Sequence, residues 1–257
     1  MRLDLLDIKL LERFKESVPQ SIGMALNKLQ EIEIPFDYFK FYNSVSSVYS
    51  SKIEGENIEF DSFFKHKFLN VPYQTDYTKK ADDLYKAYEF IYENDLNIDN
   101  LFKAHSILSS SILPESQQGR IRKNPMYVIN SDDRIEYVAA EASIIEAELS
   151  KLFQDIDKLK HNLLSEVESF YFASLIHLVF VKIHPFQDGN GRAGRLIEKW
   201  FLLETIGERA TAVQLEKNYY RHLDTYYKNI KKIGLEYDRL NYEDSLDFLS
   251  MTINCIF

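Results

Sequence analysis

Residues 167–195 read VESFYFASLIHLVFVKIHPFQDGNGRAGR, and this stretch decides the fold. Before His184, apolar side chains occupy nearly every face of a helix, which predicts a central helix buried on most sides. Pro185 ends that helix, so His184 is predicted to lie at the C-terminal end of the helix, where the rigid core fixes its position. A glycine-rich turn follows, and a new helix is predicted to begin at about Asn190 or Gly191.

The turn after the buried helix has the features of an anion site. Gly189 and Gly191 let a ligand approach the main chain closely, and the start of a helix offers unpaired N–H groups with partial positive charge. Arg192 and Arg195 lie in the first turn of the new helix, where positive charge is unfavourable unless an anion compensates it. Because they are three positions apart, they could grip successive phosphates or one phosphate and one acid.

Two more side chains complete the parts of a phosphate-handling site. Asp188 is a hard oxygen ligand at the mouth of the turn, which suits Mg²⁺ shared with phosphate oxygens. Histidine titrates close to neutrality, so His184 can act as the general base for an incoming hydroxyl. Taken singly, each residue has an ordinary structural explanation, and Arg195 could simply pair with Glu198. Taken together in this order, the residues predict transfer of a phosphate-containing group.

The run from His184 to Arg195 matches the pattern His-Pro-Phe-x-Asp/Glu-Gly-Asn-Gly/Lys-Arg-x-x-Arg of Fic-domain proteins, with Gln187 at the free position. The resemblance covers most of residues 35–235. It implies a mainly α fold, a Fic-type helical bundle with a β-hairpin flap over the active site. Most Fic proteins transfer AMP from ATP to a hydroxyl of a target protein and release pyrophosphate. The resemblance therefore implies a protein adenylyltransferase with ATP as substrate and Mg²⁺ as cofactor.

Carried over by position, the resemblance gives each motif residue a role. His184 would deprotonate the target hydroxyl, Asp188 would hold Mg²⁺, and the two arginines would neutralise charge on the triphosphate. The ATP-binding and phosphate-binding residues would be Asp188, Gly189, Asn190, Gly191, Arg192, Ala193, Gly194 and Arg195. The residues that would border the nucleotide are Ile129, Asn130, Ser131, Tyr219 and Tyr220. For the two tyrosines the alternative is a place in the core, because aromatic residues of amphipathic helices usually lie there.

One segment departs from the helical pattern. Residues 126–129 and 134–138 are β-prone runs on either side of a turn, which predicts a β-hairpin. An extended segment of the target protein could add as a third strand beside residues 126–129. By resemblance, residues 119–122 (Gly-Arg-Ile-Arg) lead into the family's flap, which would span 120–138 here. After the flap, Ala139-Ala140-Glu141 departs from the prolines that many relatives carry.

A second motif precedes the first in the chain. Ser50-x-x-x-Glu54-Gly55 lies at the end of a predicted helix, about residues 35–55, which Gly55 would terminate. The ordinary interpretation of Glu54 is a solvated acid near a helix end. The motif also resembles the inhibitory motif of the Fic class with an N-terminal inhibitory helix, which implies that Ser50 and Glu54 are inhibitory. Glu54 would pair with Arg195, the arginine that the γ-phosphate of ATP needs, and the isolated protein would be autoinhibited.

The amino-acid composition argues against several other classes of protein. At 257 residues with 45% apolar residues, the chain can bury a substantial core. A net charge of −9 argues against a broad nucleic-acid or membrane-binding surface. The N-terminus has no signal-peptide pattern and no apolar stretch is long enough to span a bilayer, so we expect a soluble, cytoplasmic protein. Cys255 is the only cysteine, which excludes an intrachain disulfide.

Residues that break helices are few, because the chain has only eight glycines and six prolines. Helices are predicted near 2–16, 20–31, 35–52, 60–69, 78–94, 98–111, 141–158, 162–183, 191–206, 214–232 and 242–255. The predicted organisation is an N-terminal helical region at 1–75, a Fic core with flap and motif at 76–235, and a C-terminal helix packed on that core at 236–257. Related Fic proteins often self-associate, so the resemblance also admits a homodimer.

Several alternatives stay open at this point. The chain could be a non-catalytic module that responds to nucleotide, or a Fic enzyme that removes AMP, modifies itself or transfers another phosphate-containing group. A zinc hydrolase could use His177 and His184, which a spacing of seven residues places on one helix face. That alternative is weaker because no third ligand is evident and Asp188 beside glycines suits Mg²⁺ better.

Overall fold

The computed structural model describes residues 2–31, 34–72, 75–129 and 133–257. These residues are mainly helical with one two-stranded hairpin, which confirms the predicted fold class. The helices before the hairpin are α1 (Leu11–Ser17), α2 (Ile22–Gln30), α3 (Tyr38–Ile53), α4 (Phe60–Leu69), α5 (Thr75–Glu93) and α6 (Ile98–Leu108). Those after it are α7 (Ile145–Lys160), α8 (Glu166–Ile183), α9 (Asn190–Ile206), α10 (Leu215–Arg221), α11 (Leu223–Lys232) and α12 (Leu246–Asn254).

The hairpin consists of β1 (Tyr127–Ile129) and β2 (Ile135–Val138), paired antiparallel. Each strand begins one residue later than the sequence predicts. A register shift lies between Val128 and Ile129, so the strand bends near the turn. The main hydrophobic core draws on residues along the chain from Leu6 to Ile256. No helix in the described ranges is long and apolar enough to cross a bilayer.

Helix α8 lies at the centre of the core. It begins with a capping box, in which Glu168 N–H donates to the Ser165 hydroxyl and Ser165 N–H donates to the Glu168 carboxylate. From Ser169 to the end of the helix every residue is buried, which accounts for the nearly continuous apolar sequence. Helix α9 packs closely alongside, because Gly194 has no side chain to separate the two helices.

Helix α3, which ends beside Glu54, is anchored on both sides. Its N-cap is Asp37, whose carboxylate accepts the Lys40 N–H at 2.8 Å. On α10, the buried carboxylate of Glu216 accepts a hydrogen bond from Ser46 of α3 at 2.9 Å and another from Tyr88 of α5 at 2.6 Å. Helix α3 is thereby held between α5 and α10, and its C-terminal end has a fixed position relative to the core.

Two helix predictions are wrong. Residues 2–10 are not helical, because the buried Asp155 carboxylate accepts the N–H groups of Asp4, Leu5 and Leu6 and so satisfies them outside a helix. The predicted helix 214–232 is two helices, α10 and α11, because the backbone leaves the helical region at His222. Apolar periodicity continues across that break, so the sequence pattern does not reveal it. A short 3-10 helix at Gly207–Ala212 was also not predicted.

The α8 and α9 contact predicts the effect of a methyl group at Gly194. A Cβ there would lie 2.6 Å from Val181 Cγ1 and 2.8 Å from His177 Cδ2, both on a rigid buried helix. We expect Gly194→Ala to lower the free energy of unfolding by about 1–3 kcal/mol through overpacking. Urea denaturation followed by circular dichroism measures this change.

The matched control is Gly23→Ala in helix α2. A Cβ at Gly23 meets the carboxylate end of Glu166 at 3.0 Å, and that flexible side chain can move away. We expect this variant to be unchanged or more stable by up to about 1 kcal/mol. Equal destabilisation of both variants would contradict the close packing proposed for Gly194.

Candidate active site

His184 lies at the C-terminal end of α8 in a left-handed conformation, with φ 54°. Its own N–H donates to Phe180 O at 3.0 Å, which completes the last turn of the helix. Ring atom Nδ1 lies 3.1 Å from Val181 O. Because a carbonyl can only accept, Nδ1 carries the proton in this contact and Nε2 presents its lone pair. The imidazole is therefore oriented as a base.

The electrostatic surroundings of His184 favour the same state. Burial is the main reason that the pKa of His184 lies below its ordinary value, and the positive charge of Arg122 lowers it further. The Val181 carbonyl and the charges of Glu54 and Asp188 act in the opposite direction without cancelling the effect. A neutral imidazole at neutral pH is the form that can take a proton.

The motif loop is closed by Asn190. Its side chain accepts the Phe186 N–H at 2.9 Å and donates to Phe186 O at 2.9 Å. The amide expected to cradle phosphates is thus used within the protein, and the Asn190 side chain is buried. What the loop can offer an anion is main-chain N–H groups at the start of α9, which Gly189 caps with φ 78°.

Arg195 is the most enclosed charge of the motif, with a side chain only 1% exposed. Its Nη2 donates to Glu54 Oε1 at 2.6 Å and to Ser50 O at 3.2 Å, while Nε donates to Ser50 Oγ at 3.0 Å. Nη1 donates to the Tyr226 hydroxyl at 3.4 Å. The structure therefore brings Ser50 and Glu54 to Arg195, which lies more than a hundred positions after them in the sequence.

Glu54 is an ionised acid poised beside the motif. Burial would by itself raise the pKa of Glu54, but the charges of Arg195 and Arg192 together outweigh burial and hold that pKa below its ordinary value. The close approach depends on Gly191, because a Cβ at that position would lie 2.5 Å from Glu54 Oε1. The Glu54 side chain is 26% exposed, so it lies between the buried arginine and solvent.

The other motif arginine also faces an acid, one that the sequence analysis did not identify. Arg192 Nη2 lies 3.8 Å from Glu56 Oε1, and the same oxygen accepts a 2.5 Å hydrogen bond from Lys80 of α5. The Arg192 side chain is 5% exposed and its Nε has no hydrogen-bond partner among the described residues. A buried N–H without a partner suits a site that receives an acceptor from a ligand.

Asp188 has the properties of a Mg²⁺ ligand. Its Oδ1 accepts the Gly189 N–H at 2.6 Å, and the residue is exposed at the mouth of the loop. Mg²⁺ is commonly held by one or two carboxylates with waters and substrate phosphates, so a lone carboxylate next to an anion site fits it. A closed protein cage is not formed, since the described ranges hold no cluster of three potential ligands.

A cavity of about 250 Å³ opens beside His184 and Arg195. Its walls come from the flap through Val128 and Tyr137, and from α11 through Tyr226, Tyr227 and Ile230. The volume and mixed lining suit part of a small ligand, with apolar side chains opposite the charged motif. The tyrosines of α11 were not predicted to lie beside the motif.

The structure does not place Tyr219 and Tyr220 beside this cavity. Tyr219 is fully buried, and its hydroxyl donates to Glu198 Oε1 at 2.7 Å and lies 2.7 Å from the Thr252 hydroxyl. Tyr220 packs on α3, where its ring centroid lies 5.6 Å from that of Tyr49. Neither tyrosine lines the cavity beside His184, so the geometry gives no support to the nucleotide-bordering role predicted for them.

Several further residues of α8 and α9 take part in contacts between the helices. Ala193 is fully buried and Gly194 packs against Val181 and His177 of α8, so both residues take part in the contact between the two helices. Glu198 does not pair with Arg195, because its Oε2 lies 2.7 Å from His177 Nδ1. His177 Nε2 lies 3.1 Å from the Tyr226 hydroxyl, so both ring nitrogens have partners and the zinc alternative loses a ligand.

Arg122 fixes the segment 119–122 that leads into the flap, here called the flap root. Its Nε donates to His184 O at 2.7 Å and its Nη1 and Nη2 donate to the carbonyls of Asn124 and Ala140. Ile129 lies at the end of β1 and is 56% exposed. Asn130 and Ser131, the other flap residues predicted to border the nucleotide, lie outside the described residues.

Known proteins share the fold that carries this site. Residues 95–202 match the Fic/DOC family. The chain is similar to a Fic family protein from Desulfovibrio desulfuricans G20, with a TM-score of 0.76, 15% identity, and coverage of 100% of this chain and 74% of that one. It is also similar to a Fic domain containing signaling protein from Bacteroides thetaiotaomicron VPI-5482, with a TM-score of 0.70, 15% identity, and coverage of 92% of this chain and 91% of that one. Fic-1 from C. elegans matches with a TM-score of 0.67, 15% identity, and coverage of 96% of this chain and 69% of that one. At these identities the structural matches show the shared fold.

The surroundings of His184 predict its titration. We expect the His184 ring resonances in NMR spectra to titrate below the ordinary value of about 6.5. Glu54→Gln removes a negative charge that favours the imidazolium, so the pKa of His184 should fall further in that variant. His184→Asn assigns the resonance. A titration above 6.5, or an upward shift in Glu54→Gln, would contradict this description of the site.

Proposed function

We propose, on the premise that residues 95–202 form a Fic/DOC domain, that this protein is a protein adenylyltransferase. It would transfer AMP from ATP to a hydroxyl side chain of a target protein and release pyrophosphate. Transfer of a nucleotidyl group to proteins is typical of the family. The observation that carries the proposal is the neutral His184, with Nε2 available as a base, beside Arg195 and the N-terminus of α9.

In the proposed reaction, Nε2 of His184 removes the proton from the target hydroxyl. The freed oxygen attacks the α-phosphorus of ATP, a new P–O bond forms, and the bond between the α-phosphorus and the oxygen bridging to the β-phosphate breaks. Pyrophosphate leaves with that bridging oxygen, and His184 later releases its proton to solvent. A module that only senses nucleotide would need no oriented base, so the state of His184 favours the enzyme.

The phosphates would be held by the remaining motif groups. Main-chain N–H groups of Asn190 and Gly191 at the start of α9 would face the negative oxygens, and Arg192 and Arg195 would supply positive charge. Mg²⁺ on Asp188 would offset charge on the phosphate oxygens when bound. The unpartnered Nε of Arg192 supports this assignment, because a phosphate oxygen would satisfy it. The cavity lined by Tyr226 and Tyr227 would receive the nucleoside.

Autoinhibition by Glu54 is part of the proposal. Glu54 holds the Nη2 of Arg195 that would otherwise meet the γ-phosphate. ATP could still enter, but a γ-phosphate excluded from Arg195 would leave the α-phosphate misplaced for attack. A carboxylate and a phosphate are alternative partners for one guanidinium, so the same contact that satisfies the buried charge at rest would block the productive arrangement.

The target protein would dock along β1. Ala139 N–H donates to Met126 O, so in the alternating ladder Tyr127 turns its main-chain groups away from β2. The outer edge of β2 is less accessible, because Val138 N–H donates to Leu235 O at 2.8 Å. The edge of β1 is therefore where an extended target segment could add as a strand, with hydrogen bonds that demand little of its sequence.

Substitution of Glu54 tests the proposed function. We expect Glu54→Gly to incorporate label from α-³²P ATP into proteins of a cell lysate, or into itself, at least roughly tenfold faster than the unsubstituted protein. The expected size follows from a charge-assisted hydrogen bond of about 1.5–3 kcal/mol, where 1.4 kcal/mol is a factor of about ten. Mass spectrometry of the labelled proteins identifies the transferred group, the residue and the target.

Two controls make the result specific. Glu54→Gly combined with His184→Ala should lose labelling, since the base is removed. Glu115→Gly makes the same change at an exposed glutamate in the loop before the flap and should leave labelling at the low starting level. No labelling by folded Glu54→Gly, or labelling that survives loss of His184, would overturn the proposed function.

A further inference from the structure

His105 on α6 is fully buried and has no part in the proposed chemistry, yet it contacts the motif loop and the flap root at once. Its Nε2 lies 2.9 Å from Asp188 O, and Gly119 N–H donates to its Nδ1 at 3.0 Å. The ring stacks on Phe186, with centroids 3.6 Å apart and an interplanar angle of 14°. One side chain thus joins α6 both to the approach to the flap and to the motif loop, which lies 83 positions later in the chain.

The two hydrogen bonds define the tautomer of His105. The Gly119 N–H can only donate, so Nδ1 is the unprotonated nitrogen, and the Asp188 carbonyl can only accept, so Nε2 carries the proton. Protonation would place two donors face to face at Nδ1. Burial lowers the pKa of His105 to about 4, in agreement with a ring that stays neutral. The contact is therefore a fixed connection rather than a switch.

These contacts restrict the orientation of Asp188. Its carbonyl is held by His105 and its Oδ1 by the Gly189 N–H at 2.6 Å, so both the peptide and the carboxylate have defined directions. Gly189 lies close to α6, since a Cβ at that position would lie 3.2 Å from His105 Nε2 and 3.1 Å from Leu108 Cδ1. An exposed loop carboxylate would otherwise sample several orientations.

At the other end of the His105 ring, Gly119 begins the approach to the flap. Gly119 has φ 62°, and a Cβ there would lie 2.4 Å from Phe102 O of α6, so the chain passes very close to this helix. Three residues later Arg122 reaches back to His184 O. The flap root and the motif loop are therefore both tied to α6 at His105.

We propose that His105 is a positioning residue that orients Asp188, and with it the Mg²⁺-dependent binding of the triphosphate, from a fixed point shared with the flap root. This role rests on the proposed function for its biological meaning. The structural claim can be tested apart from it, because orientation of a Mg²⁺ ligand alters ATP binding whether or not AMP is transferred.

Two substitutions distinguish the two hydrogen bonds of His105, because each places an amide at only one of the two ring-nitrogen positions. His105→Gln places an amide nitrogen near the position of Nε2 and can still donate to Asp188 O. His105→Asn places its amide near Nδ1, where the amide oxygen can accept the Gly119 N–H. It leaves Asp188 O without its donor. Both variants lose the stacked ring, so a purely structural role should change their melting temperatures and their ligand binding alike.

The measurement is the affinity for ATP with and without Mg²⁺, by calorimetry, for the full chain carrying Glu54→Gly and each His105 variant. We expect the Mg²⁺-dependent gain in affinity to stay within about twofold of the parent in His105→Gln. It should fall roughly tenfold in His105→Asn, the size usual for loss of a group that orients a metal ligand. Label transfer is measured in parallel, and melting temperatures are compared.

The outcomes distinguish the two proposals. If the parent transfers AMP but the two variants lose the Mg²⁺-dependent gain equally, or neither loses it, the positioning role is wrong and the proposed function stands. If the parent transfers nothing while the variants separate as expected, the proposed function is wrong and the positioning role stands. Independently of any substitution, ¹⁵N NMR of the unsubstituted protein should place the His105 proton on Nε2, and a proton on Nδ1 would overturn the proposal.

Discussion

The ion pair between Arg195 and Glu54 is the contact on which the proposed function and its control both depend. A guanidinium that is 1% exposed needs an anionic or strongly polar partner, because an unpaired buried charge is severely destabilising. Ser50 and Tyr226 satisfy several of its N–H groups, and Glu54 supplies the charge. In the proposed reaction a phosphate takes the place of that carboxylate. The resting and working states would then differ mainly in which anion Arg195 holds.

The rest of the fold keeps both sides of this pair in place. Arg195 is fixed by the packing of α9 on α8, which requires Gly194 at the contact. Glu54 follows directly after α3, which Glu216 ties to α5 and α10. Since both helices are rigid, a change of partner at Arg195 requires movement of the partly exposed Glu54 side chain and its helix end, not of the core. Gly55, with φ 86°, marks the point where the chain leaves the helix.

The same arrangement explains which parts of the site could be predicted from sequence. His184, Asp188 and the two arginines lie within one short run, so their spacing alone brings them to one turn between two helices. The approach of Glu54 to Arg195 was expected only through the resemblance, because no local pattern joins residues 141 positions apart. The hairpin was predictable because its two strands are adjacent in the chain and flank turn-forming residues.

Other features escaped prediction for physical reasons. The break at residue 222 lies inside a continuous apolar periodicity, so one helix was predicted where there are two. Tyr219 and Tyr220 were expected at the nucleotide through the resemblance alone, whereas the tyrosines that line the cavity are Tyr226 and Tyr227. Residues 2–10 carry a helical pattern, but tertiary hydrogen bonds to Asp155 override it. His105, Arg122 and Glu56 act through contacts with main-chain atoms or with residues distant in sequence, which residue patterns do not encode.

Competition for Arg195 is the central claim, and it can be measured without any transfer reaction by comparing the affinities for ADP and ATP in the presence of Mg²⁺. In the unsubstituted protein Glu54 occupies the guanidinium, so the γ-phosphate should add little, and the two dissociation constants should agree within about threefold. In Glu54→Gly the γ-phosphate gains a charge-assisted contact, and ATP should bind roughly tenfold or more tightly than ADP. The same preference in both proteins would contradict the account.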